Sequence, residues 1–257
     1  MQQLHLKLSK MNWIALFLII THASVTSAAD RIIQKNGTER VGTIMGLTKN
    51  GNRSLLNFKF EGGQVPIPMK NVRTIELEER PQFAEGKERY EANEFEEAIK
   101  ILRPLVNSYA GIESGWVAEA LGMLTDSLIQ TGKTFAAKEW GERLQELYPD
   151  SPYRLKGEIT RARTMFRPDK VDGAIEILNK VLEELPKKAV HDPATMRVYS
   201  SLHTAFAEAH EIKGNKQEAL QNYLLVATVY YQPESKAADA LKNADRLRSA
   251  NPDLAVN

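Results

Sequence analysis

Four alanines mark a repeated unit in the second part of this chain, and this repeat constrains the fold more than any other feature. Ala98, Ala137, Ala174 and Ala219 are 39, 37 and 45 residues apart. A small residue stands twelve positions before each alanine, and a turn position stands five before it. In chain order, the small residues are Gly86, Thr125, Ala162 and Ala207, and the turn positions are Asn93, Gly132, Asp169 and Gly214. A unit with this kind of period buries its apolar face by stacking on the next unit.

Between residues 82 and 250, apolar residues recur every three or four positions, which predicts successive helices. The segments 95–99, 171–175 and 216–220 repeat one motif. This pattern resembles the tetratricopeptide repeat (TPR), a pair of antiparallel helices that cross at small residues. The resemblance implies about four helix pairs in a superhelical array. The intervals are longer than the ~34 residues usual for the family, and Thr125 is large for a crossing residue, so the second repeat departs most from the pattern.

A last helix is predicted to start near Pro233 and to end at Asn251. Its packing face would carry Ala237, Ala238, Leu241, Ala244 and Leu247, and its other face Lys236, Asp239, Lys242, Asn243, Arg246 and Arg248. A helix with one polar face caps the open end of such an array.

The pattern of residues 30–80 is typical of strands. Glycines and asparagines give turn signals between short runs in which apolar residues such as Leu56, Phe58 and Phe60 alternate with polar ones. We predict five short strands that bury their faces by closing into a small β-barrel. The order of parts, including a strand, a single helical turn and a strand over residues 67–75, resembles Sm-like and SH3-like barrels. Arg80-Pro81 is the predicted boundary, because proline disfavours helix at the residue before it.

Residues 1–29 have the three-part order of a secretory signal peptide. Lys7 and Lys10 precede an apolar run over residues 13–20, and the small residues Ser27-Ala28-Ala29 end a site that would be cut before Asp30. The apolar run is shorter than the ~20 residues that a membrane span needs. We therefore predict an exported protein, periplasmic or secreted, with no transmembrane span after cleavage. The alternative is that the segment stays uncleaved as an anchor.

Composition limits the classes of partner. The chain contains no cysteine, so it cannot form a disulfide and it lacks the cysteine that carries the lipid in a bacterial lipoprotein. Loss of residues 1–29 removes two lysines and no acid, which changes the formal net charge from +1 to −1. A chain so close to neutral gives no electrostatic reason to expect nucleic acid as the main partner.

No motif for chemistry was found. The sequence has no glycine-rich phosphate loop, no nucleophile elbow and no zinc-protease helix motif, so no catalytic residue, cofactor or metal is predicted. His203 and His210 are seven residues apart, whereas a metal pair on one helix prefers a spacing of four. We predict that both lie in helix contacts. His191-Asp192, in a loop before Pro193, is not predicted to form a site.

In the TPR family, the first helix of each pair lines a concave groove that holds a partner peptide or helix. The resemblance implies twelve groove residues: Phe83, Lys87, Tyr90, Glu119, Asp126, Ile129, Lys156, Arg163, Arg167, Thr204, Glu208 and Glu211. Lys156, Arg163 and Arg167, spaced seven and four, would form a basic stripe suited to a carboxylate or an acidic segment. The alternative is that these are ordinary solvated charges.

These observations predict a mainly α protein, a TPR-type array over residues 82–250 preceded by a small five-stranded barrel over residues 30–80. The function we expect is an exported scaffold or adaptor that binds an envelope protein or peptide in its groove. A self-assembling structural envelope protein, and thus a homo-oligomer, is the first alternative. An unrecognised envelope enzyme or ligand-binding protein is the second.

Overall fold

A computed structural model of the chain describes residues 29–186 and 192–254. The predicted signal peptide lies outside these residues, apart from Ala29. The strands are β1 (Asp30–Gln34), β2 (Glu39–Asn50), β3 (Arg53–Phe60), β4 (Gly63–Pro68) and β5 (Val72–Glu76), with a 3-10 turn at Met69–Asn71. The helices are α1 (Pro81–Glu91), α2 (Phe95–Tyr109), α3 (Gly115–Gln130), α4 (Thr134–Leu147), α5 (Arg154–Arg163), α6 (Val171–Glu184), α7 (Pro193–Lys213), α8 (Lys216–Thr228) and α9 (Glu234–Ala250). None of the helices in this described part of the chain is long and apolar enough to cross a membrane.

The strands form one antiparallel sheet in the order β4-β3-β2-β1-β5. The predicted alternation is confirmed, since Leu56 and Phe58 are fully buried while Lys59 between Phe58 and Phe60 is exposed. The strand, helical turn and strand expected over residues 67–75 are also present. Period two therefore placed the correct side chains in the core of the sheet.

The prediction of a closed barrel is wrong, because the edge strands β4 and β5 do not pair with each other. The helical part covers the apolar face of the sheet instead. Ile112, which follows α2, is fully buried in the same cluster as Ile32 and Phe58, and Tyr109 packs against that cluster. At Gly46 of β2, an added Cβ would lie only 2.5 Å from a backbone oxygen of α2. A face that is buried in this way has no need to curl onto itself.

Arg80 fastens the sheet to the helices at the predicted boundary. Its guanidinium donates to both carboxylate oxygens of Asp30, with Nη1 3.0 Å from Oδ1 and Nη2 2.6 Å from Oδ2. It also donates to the Tyr109 hydroxyl (3.0 Å) and the Ile44 carbonyl (2.9 Å). The Asp30 side chain is 1% exposed. The junction is a buried, fully engaged ion pair, which holds the start of β1 against α2.

Residues that the repeat pattern singled out lie in the core and at turns between helices. All eight predicted small residues, from Gly86 to Ala219, are buried. Three of the predicted turn positions have a left-handed backbone: Asn93 with φ 61°, Gly132 with φ 72° and Gly214 with φ 85°. Each helix from α1 to α9 packs against the next one in the chain. Short left-handed turns of this kind reverse the chain between packed helices.

The predicted cap helix has the expected bounds but a different buried face. Ala240, Ala244 and Leu247 are buried as part of one stripe, and Lys236 lies at its start with only 9% of its surface exposed. Leu241, which was expected to pack, is 49% exposed. Lys236 was predicted to face solvent. This prediction is wrong, because its ammonium group points inward and lies 3.7 Å from the buried carboxylate of Asp126.

Close backbone contact between α4 and α5 gives a first testable prediction. An added Cβ at Gly157 would lie 2.5 Å from the backbone oxygen of Gly141. We expect Gly157→Ala to lower the free energy of unfolding by about 1–3 kcal/mol, because the helices must separate. Gly115→Ala is the matched control, since no neighbouring atom in the described part of the chain lies within 4 Å of its Cβ position. Equal stabilities of the two variants in urea denaturation would contradict this account of the crossing.

Candidate functional site

The odd-numbered helices form an inner layer of the array. α1 contacts α3, α3 contacts α5 and α5 contacts α7, in addition to the contacts between consecutive helices. α9 packs on α8 and also touches α1, so the last helix returns to the first. The side chains that the odd-numbered helices direct towards one another and towards α9 therefore meet on this inner face.

One buried carboxylate connects five helices. Asp126 of α3 is 1% exposed, and its Oδ2 accepts hydrogen bonds from the Tyr90 hydroxyl (2.8 Å), Lys156 Nζ (2.7 Å) and the Ser201 hydroxyl (3.4 Å). Lys236 Nζ of α9 lies 3.7 Å from the same oxygen. These five residues, from α1, α3, α5, α7 and α9, are called the Asp126 cluster below.

Burial and neighbouring charges act in opposite directions on the Asp126 cluster. Burial alone would raise the pKa of Asp126, but the cations Lys156, Lys236 and Arg163 outweigh it and hold that pKa below its usual range. Burial lowers the pKa of Lys236 to about 8, although Asp126 opposes the change. Burial, reinforced by the Asp126 charge, raises the pKa of Tyr90 well above its usual value. At neutral pH the cluster thus holds an ionised carboxylate and a neutral tyrosine.

Ion pairs extend from this cluster along the inner face. Arg197 of α7 bridges Glu119 of α3 and Glu91 of α1, with Nη2 3.0 Å from the Glu91 carboxylate. Glu119 also lies 3.1 Å from Lys87 Nζ. The Arg197 side chain is 14% exposed. This group ties the first helix to the fourth member of the inner layer.

A second group of ion pairs lies towards the C-terminal end of α7. Arg163 Nε is 3.1 Å from Glu208 Oε2, and Arg163 is buried. Glu211 accepts hydrogen bonds from the Tyr223 hydroxyl and from Arg246 of α9, both at 2.7 Å. α9 is therefore fastened to the array at both of its ends.

The structure brings most of the predicted groove residues together as a network rather than as an open groove. Tyr90, Asp126 and Lys156 are in the Asp126 cluster, and Arg163 pairs with Glu208. Three more pairs are ionic: Lys87 with Glu119, Glu211 with Arg246, and Arg167 with Asp169. Of the remaining residues, Phe83 packs on Trp116, and Ile129 is half-buried against the core. The Thr204 hydroxyl donates to the Ser200 carbonyl.

The basic stripe does not occur. Lys156 and Arg163 are buried and face carboxylates, so they are neither solvated nor free for an acidic partner. Arg167 lies beyond the end of α5, which ends at Arg163, and it is exposed beside Asp169. The four-residue spacing from Arg163 to Arg167 therefore does not describe one helix face.

Six members of the network were not predicted as site residues from the sequence: Glu91, Arg197, Ser201, Tyr223, Lys236 and Arg246. Arg197 and Ser201 precede Thr204 by seven and three residues, on the same face of α7. That spacing could have found them. Lys236 carried no such signal, since a lysine on a helix of mixed polarity is usually solvated.

The histidine predictions concern helix packing. His203 is buried, stacks on Tyr230 with ring centroids 4.9 Å apart, and has Nδ1 2.8 Å from Asn222 Oδ1. His210 stacks on Phe206. Burial lowers the pKa of both histidines. His191 lies outside the described residues, within which no three His, Cys, Asp or Glu side chains are placed to hold a metal ion.

Several cavities accompany this geometry, among them one of about 550 Å³ beside Glu91 and Arg197. Another, of about 240 Å³, lies between α9 and the inner layer, and is lined by Asn93, Phe95, Gln130, Thr204, Glu208, Tyr223, Lys236, Asp239, Ala240, Lys242 and Asn243. Two further cavities adjoin where the sheet meets the array, and together they are called the channel below. The channel consists of a cavity of about 440 Å³ along β5 and one of about 690 Å³ against the loops after α2 and α4, and both are lined by Gly111 and Glu113.

The fold and these features define a helical array with a charged inner face and an open N-terminal sheet. Comparison with known proteins adds no relationship: no protein-family model matches the chain, and neither does any curated protein sequence.

Proposed function

We propose that the chain is an exported protein-binding adaptor of the TPR class, and that an extended segment of its partner binds along the free edge of β5. The observation that carries this proposal is the channel at that edge. The inner face is a weaker candidate for the partner, because its charged side chains already engage one another. Export is inferred from the N-terminal sequence pattern.

The two edges of the sheet differ in their capacity to accept another strand. β4 contains Pro66 and Pro68, and proline has no backbone N–H to donate. β5 contains no proline, and among the strands of residues 29–186 and 192–254 it pairs with β1 on one side only. Its other side borders the channel. An unprotected edge of this kind accepts an extended peptide by main-chain hydrogen bonds.

The channel provides room for side chains of a bound segment. Beyond Gly111 and Glu113 it continues along Leu147, Pro149 and Pro152. Gly111 has φ 94°, a conformation that favours glycine, and its N–H donates to the Tyr148 hydroxyl at 2.9 Å. The wall of the channel is thus held in a fixed form, which lowers the entropic cost of binding.

The class of the array is supported by three features taken together. Small residues are buried at every predicted crossing, consecutive helices pack together, and the first helices of the pairs form a common inner layer. These are the properties of a stacked two-helix repeat. Such arrays present extended surfaces to other proteins, which favours an adaptor.

Capture of the partner from a native envelope extract tests the proposal. We expect wild type to retain a partner that the double variant Arg73→Glu/Thr74→Glu loses by roughly tenfold or more, because both substituted residues line the channel and exposed strand charges oppose edge pairing. Thr43→Glu/Arg53→Glu is the matched control, with the same exchanges at exposed strand positions outside the channel. Equal loss in both variants, or no captured partner with wild type, would contradict the proposal.

A self-assembling protein is the second candidate, because the same free edge of β5 could pair with a second copy. Sedimentation of the purified chain separates the two. A concentration-dependent oligomer that Arg73→Glu/Thr74→Glu dissociates would favour self-assembly. A monomer at all concentrations would exclude self-assembly and favour the adaptor.

A further inference from the structure

Lys236 brings a positive charge into the cavity between α9 and the inner layer. The side chain is more than nine-tenths buried, yet it lines the cavity. Its ammonium lies 3.7 Å from Asp126 Oδ2, which is beyond hydrogen-bonding distance, and it has no hydrogen-bond acceptor among the residues that the structure describes. The ring of Tyr90 is 5.4 Å from the charge.

The surrounding charges do not balance. Three carboxylates of this region (Asp126, Glu208 and Asp239) face four cations (Lys156, Arg163, Lys236 and Lys242), which leaves one positive charge in excess. Lys156 lies 2.7 Å from Asp126 and Arg163 lies 3.1 Å from Glu208, so Lys236 has no carboxylate of its own at such a distance. A buried cation without its own acceptor is costly. An anion in the cavity would therefore be stabilising.

The walls of the cavity restrict the kind of anion. Glu208 and Asp239 line the same space and would repel a second negative charge, which disfavours phosphate and sulfate dianions. Phe95 and Ala240 offer apolar surface to the uncharged part of a ligand. A volume of about 240 Å³ is below the ~300–1,000 Å³ typical of pockets for drug-sized molecules.

We propose that this cavity binds a small monocarboxylate, whose oxygens accept hydrogen bonds from Lys236. The site goes beyond the adaptor function and does not depend on it, since the cavity and the channel at β5 share no lining residue. A bound carboxylate would also fasten α9 to the inner layer, because Lys236 belongs to α9 and Glu208 and Thr204 belong to α7.

Calorimetric titration of the purified protein tests this directly. The probes are acetate, lactate and butyrate, each compared with the amide of the same shape, and sulfate at matched ionic strength. We expect saturable binding of at least one carboxylate, with its amide about 10- to 100-fold weaker because the charged hydrogen bond is lost. Equal binding of acid and amide, tighter binding of sulfate, or no saturable carboxylate binding would overturn the proposal.

Variants identify the cation responsible. Lys236→Met is expected to weaken carboxylate binding about 10- to 100-fold, while Lys242→Met, at an exposed position of the same cavity, should leave it within roughly threefold. Unchanged binding by Lys236→Met would contradict the assignment. Circular dichroism shows whether each variant is folded. If Lys236→Met does not fold, the comparison of acid with amide in wild type still tests whether the cavity binds a carboxylate.

Binding should also depend on pH. Lys236 must be protonated and the ligand must be ionised. Burial lowers the pKa of Lys236 to about 8, and a carboxylic acid titrates near ~4, so affinity is expected to be constant between about pH 6 and pH 7 and to fall about tenfold per unit above about pH 8. The titratable and charged groups around it are Tyr90 of α1, Asp126 of α3, Lys156 and Arg163 of α5, Glu208 of α7, Tyr223 of α8, and Asp239 and Lys242 of α9 itself. A profile that is flat as the pH rises through this value would argue against Lys236 as the donor.

Discussion

Replacing Asp126 with alanine is expected to lower the free energy of unfolding by about 3–5 kcal/mol, because Lys156 and Lys236 would remain buried without their counter-charge. The variant also deprives the Tyr90 hydroxyl of its acceptor. Urea denaturation followed by circular dichroism measures the loss. Of the substitutions considered, this one removes a contact from the largest number of helices.

An exposed aspartate serves as the control for this result. Asp172 lies 2.6 Å from Lys213, but both side chains are largely exposed, so Asp172→Ala should cost no more than ~1 kcal/mol. The double variant Asp126→Ala/Lys156→Met should be more stable than Asp126→Ala alone, since it removes one of the unpaired cations. If Asp126→Ala proved no more damaging than Asp172→Ala, the cluster would not be the element that joins the helices.

The lowered pKa of Asp126 also predicts how the stability of the protein depends on pH. Because the folded protein holds the pKa of Asp126 below its usual range, the stability that Asp126 contributes is complete above the unfolded-state value of about 3.9. It is lost as the pH falls from there through the lower folded-state value. Wild type should therefore lose stability faster than Asp126→Ala below about pH 4. Parallel curves for the two proteins would contradict the shifted pKa.

Arg80→Ala is expected to have a comparable effect, about 3–5 kcal/mol, because it leaves the buried Asp30 carboxylate without its cation. Arg80 also supplies hydrogen bonds to Tyr109 and Ile44, which no alanine can replace. We expect the sheet to separate from the helices before the array unfolds. Limited proteolysis should then cut the segment between β5 and α1 faster than in wild type.

Two further substitutions separate charge from geometry at this junction. Arg80→Lys keeps the charge but loses the two-pronged contact with Asp30, so an intermediate loss is expected. Arg31→Ala removes an exposed, solvent-screened pair with Glu39 and should change the stability little. If Arg31→Ala lowered the free energy of unfolding as much as Arg80→Ala, burial of the Asp30 pair would not account for the effect of Arg80.

Local periodicity predicted the elements of this fold well because it depends on neighbouring residues only. The alternation of Leu56 and Phe58 in β3 and the small residues at the helix crossings correspond to the observed core. Closure of the sheet could not be predicted in this way. Whether five strands curl depends on what covers them, and here the cover is Ile112 and Tyr109, which lie far along the chain.

The candidate site was predicted only in part for a related reason. Tyr90, Asp126 and Glu208 were placed on the inner face from their repeat positions, but their partners could not be inferred. Lys236 faces inward because Asp126, more than a hundred residues earlier, offsets the cost of burying it. A charge whose environment is built by a distant segment has no signature in its own helix.

The return of α9 to α1 changes how the molecule should fold. In an open array each repeat touches only its neighbours, so ends can fray while the middle stays intact. Here Asn93 donates to Asp239 at 2.8 Å across 146 positions of the chain, and Lys236 reaches Asp126 and Tyr90. Such distant contacts slow folding and couple the termini. Loss of the last helix would thus be felt in the first repeat, and the array should melt in one cooperative step instead of unravelling from its C-terminal end.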